Sequence, residues 1–441
     1  MSRIDPRHIE LRFPVERGGG EWTLLAAGDF CAQGRFERGV GPDESVAWEI
    51  GELIATADIA VVNLEGPIRS DAPPRPKSGP PVAVDAESPE VLRRLDFAVA
   101  ALANNHIMDY GAEGLKLTLE GCREAGLWVC GAGADEAEAM APVELEMPGD
   151  VRLSIFSFCE REFGAAGPDA YGSAWIGHPD ALAKVVDAAA RGDVVVVIAH
   201  GGVEEIPLPP VQRQMQLRAF VDAGARLVVG HHPHVPQGWE EYGGGCILYS
   251  LGNFLFDYPE GLRYPKTEWG LLATARFAGH ELAAVDLTAI EMTPKRSIRV
   301  MGDEKRLRPA LDHLHEISGI LRESGELRAC WQELAVHLWR TRYRRWLQRA
   351  SGVQIGTGNI RANLNGLLRG LRRRIGLGGR AAVPAGLPDL GDPLMLLNLI
   401  RNESHRWAIE TALAVQHGDE PDLRTPQVAV RVRELLAWTE E

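Results

Sequence analysis

Residues 228–238 read VVGHHPHVPQG, a hydrophobic run that opens into three histidines. His232 and His234 stand in His-x-His spacing. On an extended loop that spacing lets two ring nitrogens reach two metal positions on one side of the backbone. Gly230 is expected to permit the turn out of the strand, and Pro233 to stiffen the segment between the two candidate ligands. Read alone, the stretch could be a polar loop whose histidines fill hydrogen bonds, and the rest of the chain weighs against that.

Apolar runs recur on both sides, and each ends in a ligand type. Residues 22–27 lead to Gly28-Asp29, residues 59–62 to Asn63-Leu64-Glu65, and residues 97–102 to Asn104-Asn105-His106. Residues 193–199 deliver His200-Gly-Gly-Val-Glu204, residues 226–229 feed the histidine stretch, and residues 246–251 precede Gly252-Asn253. Helices are expected at 43–57, 88–95, 112–125 and 209–224, and a hairpin at 269–277 and 282–292. In α/β sheets, ligands gather at the carboxyl ends of strands. Asn105 can offer a carbonyl oxygen to a hard cation and His106 can move a proton. Asp109, three residues on, can orient that imidazole if the chain turns. Six strand ends bearing oxygen and imidazole donors match the mixed-ligand chemistry of a two-metal centre.

Composition narrows the class. A chain of 441 residues with 45% hydrophobic content holds one core of roughly 250–300 residues plus an addition. A net charge of −14 argues against nucleic acid as a partner. The six cysteines form no C-x-x-C pair, which points to a reducing compartment. The first twenty residues hold no apolar segment, and no run approaches the 18 apolar residues of a membrane span. A soluble, cytoplasmic protein is expected.

These motifs, in this order, resemble the capsule synthesis protein CapA family, whose fold is that of the calcineurin-like metallophosphoesterases. The resemblance covers residues 22 to about 290. It rests on Gly28-Asp29, Asn63-Leu64-Glu65, Asn104-Asn105-His106 with Asp109 and Gly111, His200, Gly230 to His234 with Gln237-Gly238, and Ser250 to Phe254 with Phe256-Asp257. It implies an α/β fold, a four-layer αββα sandwich of the metallophosphoesterase type, with an appended mostly helical C-terminal domain. The expected division is a polar segment at 1–20, the family domain at 21–300 and a helical, Arg-rich extension at 301–441.

By the same resemblance the cofactor is two divalent metal ions (Mn, Zn or Fe). Asp29 and His234 would hold the first, Asn105, His200 and His232 the second, and Glu65 would bridge them. His106 would be the catalytic proton-transfer residue, paired with Asp109. Asn253, Lys77 and Glu204 are the expected substrate contacts. Cys31 stands where phosphoesterases usually have a histidine, as a thiolate ligand or a buried bystander. Glu65 replaces their bridging Asp, and the His200 segment lacks the His-Trp-Gly-x-Glu pattern common in the CapA family.

The resemblance implies a hydrolase linked to poly-γ-glutamate or capsule biosynthesis, acting on an anionic polymer, phosphoester or peptide. A metal-dependent peptide epimerase and a non-catalytic subunit of a polymer-synthesis complex are the alternatives. A homo-oligomer is compatible with all three. Residues 340–380 hold eleven arginines and no acidic residue. They are expected to form a helical face with an apolar stripe of Trp339, Tyr343, Trp346 and Leu347, either solvated or touching an anion.

Overall fold

The structure is a computed structural model that describes residues 8–15, 20–35, 45–258, 265–293, 296–351 and 392–438. It is mixed α/β with two main sheets. The first runs in the order His8–Arg12, Glu281–Met292, Trp269–Ala278, Glu21–Cys31, Ile59–Leu64, Val99–Ala101, Trp128–Cys130. The last four of these strands are mutually parallel. The second sheet runs Trp239–Tyr242, Gly245–Leu248, Ala225–His231, Val194–His200, Val151–Cys159, Val143–Met147, parallel except at its two edges. Every residue of Val194–His200 (VVVVIAH) is buried, the pattern of a central parallel strand covered on both faces.

Three apolar cores follow. Leu24, Val61 and Val99 of the first sheet meet Val196, Ile198 and Leu227 of the second. The opposite face of the first sheet packs Leu25, Val62 and Ala100 against Ile50, Leu92 and Leu115 of its helices. On the far face of the second sheet, Phe156, Phe158 and Val195 are covered by Phe220 and by Ile317, Ile320, Trp331, Leu334 and Ala408 from the C-terminal helices. Those helices include Glu304–Arg322, Ser324–Leu338, Glu403–His417 and Pro426–Ala437. Asn402 caps Glu403–His417 by accepting from His405 N, and Gly418 ends it in the left-handed region (φ 74°).

The expected strands are present, several of them longer than read. Asp29 lies inside Glu21–Cys31 rather than after it. The strand expected at 246–251 is Gly245–Leu248, and after Gly252 turns the chain (φ 69°) a further strand, Asn253–Phe256, follows that was not expected. Gly245–Leu248 stays in the second sheet, while Asn253–Phe256 pairs with Glu21–Cys31 in the first. The helix expected at 43–57 spans Trp48–Ala55. All six cysteines are buried and unpaired. No helix among the described residues is long and apolar enough to cross a membrane.

Residues 352–380 of the Arg-rich stretch lie outside the described residues. In the described part, Trp339–Tyr343 forms a π-helical turn leading into Arg344–Ser351. Trp339, Tyr343 and Leu347 are buried and Trp346 packs beside them, so the apolar stripe belongs to the third core.

Candidate metal centre

Register brings the donors together. Asp29 pairs with Asn63, Asn63 with Ala101, and His200 with His231 near the carboxyl ends of parallel strands, while Asn253, paired with Asp29, opens the strand Asn253–Phe256. Asp29 Oδ1 accepts from His231 Nδ1 and from Asn63 Nδ2, both at 2.8 Å. Its Oδ2 accepts from the His232 amide at 3.2 Å and lies 3.5 Å from His234 Nδ1. His200 Nε2 is 3.0 Å from Asn105 Oδ1, and its Nδ1 receives Asn63 Nδ2 at 3.3 Å. Glu65 sits between the sheets, 3.8 Å from both His200 Nε2 and His234 Nε2.

Two triads emerge, Asp29 with Glu65 and His200, and Glu65 with His232 and His234, each with ligand atoms within 4.8 Å of one another. Glu65 is common to both, as a bridging carboxylate requires. The triads pair His234 with His232, whereas the resemblance put His234 beside Asp29. The 3.5 Å contact keeps that pairing within reach.

The histidine stretch is not extended. His232 (φ 95°) and His234 (φ 58°) both occupy the left-handed region, which costs non-glycine residues of order 1–3 kcal/mol each and concentrates at functional sites. The Glu205 amide, bonded to Pro233 O at 2.9 Å, pins the turn. Gly230 makes no turn, because the strand runs on to His231. A Cβ there would lie 1.9 Å from the Tyr249 carbonyl oxygen, so close backbone approach is what demands glycine.

The electrostatics favour a cation. Burial pushes the Asp29 carboxyl up, but the charge and hydrogen bond of His231 outweigh it and hold it well below the usual range. Burial and the Asp29 charge drive Glu65 well above it. Burial lowers His232 to about 3 and His200 well below the usual imidazole value. His234 is opposed by burial yet raised to about 10 by Glu65 and Asp29. Both Glu65 oxygens and His232 Nδ1 are buried with no hydrogen-bond partner among the described residues. Buried polar atoms left in this way cost roughly 1–3 kcal/mol each, more when charged, unless something pairs with them. Orphaned oxygens facing imidazoles and an amide oxygen are a donor set that fits a divalent cation.

Beside this cluster stands a hydrogen-bonded His–Asp pair. The chain turns at Asp109 N to His106 O (2.8 Å), which brings Asp109 Oδ2 to 2.7 Å from His106 Nδ1. Asp109 also accepts from Val82 N at 2.8 Å and from Lys77 Nζ at 2.7 Å. Burial first, then the nearby Lys77 charge, lower the His106 pKa, so the imidazole is neutral with Nδ1–H directed at Asp109.

The expected substrate contacts occupy distinct places. Lys77 Nζ serves Asp109, the Asn105 carbonyl (3.2 Å) and the edge of His106, with its side chain only 5% exposed. Asn253 orients His234, with Oδ1 3.0 Å from Nδ1, while its amide donates to Thr267 O at 3.1 Å. Glu204 is exposed, and the nearby His232, His234, His405 and Arg342 hold its carboxyl below the usual range. Cys31 is fully buried and outside both triads. Burial and the carboxylates of Glu65 and Asp257 push its thiol well above the usual value.

Sequence reasoning gave no role to His231 and Asn63, although both fix Asp29 and His200. The signal lay in the opening stretch, where His231 is the first histidine past the apolar run.

The match to a family model, "Bacterial capsule synthesis protein PGA_cap", covers residues 23–258. The chain is 37% identical over 177 residues to "Capsule biosynthesis protein CapA" of Bacillus anthracis, covering 39% of this chain and 43% of that protein. It is 38% identical over 174 residues to "PGA biosynthesis protein CapA" of Bacillus subtilis, covering 39% and 46%. A "Probable polyglutamine synthesis accessory protein" of Mycobacterium tuberculosis is 28% identical over 270 residues, covering 57% of this chain and 71% of the relative. The match thus spans less than half the length of the two Bacillus proteins. The family model covers more than half of the chain, including all the donors just described, and the chain belongs to the bacterial capsule synthesis protein PGA_cap family.

Proposed function

We propose that this protein is a metal-dependent hydrolase serving capsule or poly-γ-glutamate biosynthesis, with an anionic polymer, phosphoester or peptide as substrate. Glu65 carries the reading, since both oxygens of this fully buried side chain lack a hydrogen-bond partner among the described residues and face imidazoles, a gap that a divalent cation would fill. In this reading the two sheets and their outer helices are a four-layer αββα sandwich of the metallophosphoesterase type. Residues 21–300 are its domain, 301–441 a docked extension and 1–20 a polar leading segment. A cytoplasmic location is part of the same proposal, supported by six unpaired cysteines.

Asp29, Glu65, Asn105, His200, His232 and His234 would hold two divalent ions (Mn, Zn or Fe). Such ions supply Lewis acidity toward an anionic oxygen and acidify a water. The chain's own residues do the rest. Asp29 is fixed by His231 and Asn63, and His234 by Asn253, so these donors stay aimed with little loss of entropy. Asp109 holds His106 as the Nδ1–H tautomer, leaving the Nε2 lone pair to take up a proton from the attacking water and pass it to the leaving group, with the Asp109 carboxylate facing the imidazolium that forms between the two transfers. Glu204 presents a charged carboxylate at the exposed edge and would select substrates that bring a donor there.

The test is a panel of phosphoesters and peptides incubated with the protein in deuterated water. Hydrolysis without carbon-bound deuterium is expected, and His106→Asn should keep its metal yet lose turnover by about two to four powers of ten. Carbon-bound deuterium in the product would replace hydrolysis by epimerisation. No turnover of any substrate would favour an accessory role, as the name of the M. tuberculosis relative has it for that protein.

A further inference from the structure

A cavity of about 290 Å³ lies where the C-terminal helices meet the loop beside the metal cluster. Lys266, Arg342 and Arg433 line it against one carboxylate, Glu205, in a chain whose net charge is −14. Arg433 is exposed, and Lys266 also donates to Leu436 O at 2.6 Å, which ties the last helix to the wall. Leu338 and Leu436 give the cavity an apolar side. Glu205 joins it to the cluster, since its amide bonds the carbonyl of Pro233, between His232 and His234, and Glu204 precedes it.

We propose that this cavity is a subsite for a carboxylate-bearing chain, a γ-glutamyl oligomer, which reaches the metal cluster past the loop at Glu204 and Glu205. It rests on the anionic substrate proposed above. Two arginines and a lysine attract successive carboxylates, and the leucines suit the methylene stems between them. Inorganic phosphate would share the cations but gain nothing from the apolar wall. Glu205, Ile206 and Lys266 come from residues 21–300, while Arg342, Arg433, Leu338 and Leu436 come from the extension, so the subsite forms where the two meet.

Equilibrium dialysis of the full chain with penta-γ-glutamate, penta-γ-glutamine and inorganic phosphate tests it. The γ-glutamate oligomer should bind, weaken with added salt, and outcompete both other probes. R433Q should weaken it about threefold and R342Q with R433Q about tenfold, with metal content unchanged. Arg342 also lies over the Trp346 ring (5.7 Å), so R433Q keeps the test open if the double variant fails to fold. Equal binding by wild type and R433Q, no binding by wild type, or phosphate binding as tightly as γ-glutamate would each overturn the proposal. Metal loss with oligomer binding intact would defeat the metal-centre reading alone, leaving the subsite standing.

Discussion

Lys77 is where the residue scale changes the reading most. The resemblance made Lys77 an expected substrate contact, whereas its partner Asp109 lies 32 residues away in sequence, a pairing that no spacing rule reveals. Both side chains of the pair are nearly inaccessible (5% and 2%), so removing the cation leaves a buried carboxylate short of a partner. Lys77→Met should cost about 3 kcal/mol of stability in urea unfolding. Unchanged stability with weakened substrate binding would instead support a substrate contact. Gly230→Ala should also destabilise strongly, by about 3 kcal/mol or more, because the new Cβ meets a backbone carbonyl that cannot swing aside. A denaturation midpoint equal to wild type would contradict the close approach. Glycine itself was legible at 230, but its reason was not, since a turn and a backbone contact call for the same residue.

At the scale of elements, apolar runs ending in ligand types located the strands because buried parallel strands have few ways to be written. Helices after residue 303 were legible only as helical composition, and what they cover depends on contacts far along the chain. The start of Glu403–His417 is the clearest case. Asn402 donates to Glu162 at 3.1 Å, Ser404 bonds Glu160, and Glu403 receives Arg161 N at 2.9 Å and Trp175 Nε1 at 2.7 Å. Burial, helped by Glu204 and Glu160, raises Glu162 to about 7. Its protonated form is therefore favoured in the folded state. The stability this group lends is complete below the ordinary carboxyl pKa and is lost as pH rises through about 7. Glu162→Gln keeps the acceptor for Asn402 without that loss. Thermal melts should show the variant gaining on wild type by about 2 kcal/mol between pH 5 and pH 8. Parallel curves would refute the burial of this carboxyl against the helix.

Across the whole molecule, the extension and the family domain share a core, since Ile317, Trp331 and Ala408 lie in one cluster with Phe156, Phe158 and Val195. A chain ending at residue 300 should therefore expose the face of the second sheet and aggregate or bind hydrophobic dye. A soluble, cooperatively melting fragment would show that the domain stands alone. Composition had suggested an appended domain because the character of the sequence changes there, yet a change of character does not imply a separate core. The donors are likewise a property of the whole fold: Asp29, Glu65, His200 and His234 come from four segments that only the closed pair of sheets brings within 4 Å of their neighbours. Elemental analysis of the protein after reconstitution with divalent metal tests this most directly. Close to two ions per chain are expected, falling in both His232→Ala and His234→Ala while the fold persists; metal content that neither substitution lowers, or a folded wild type that takes up no metal, would contradict the account.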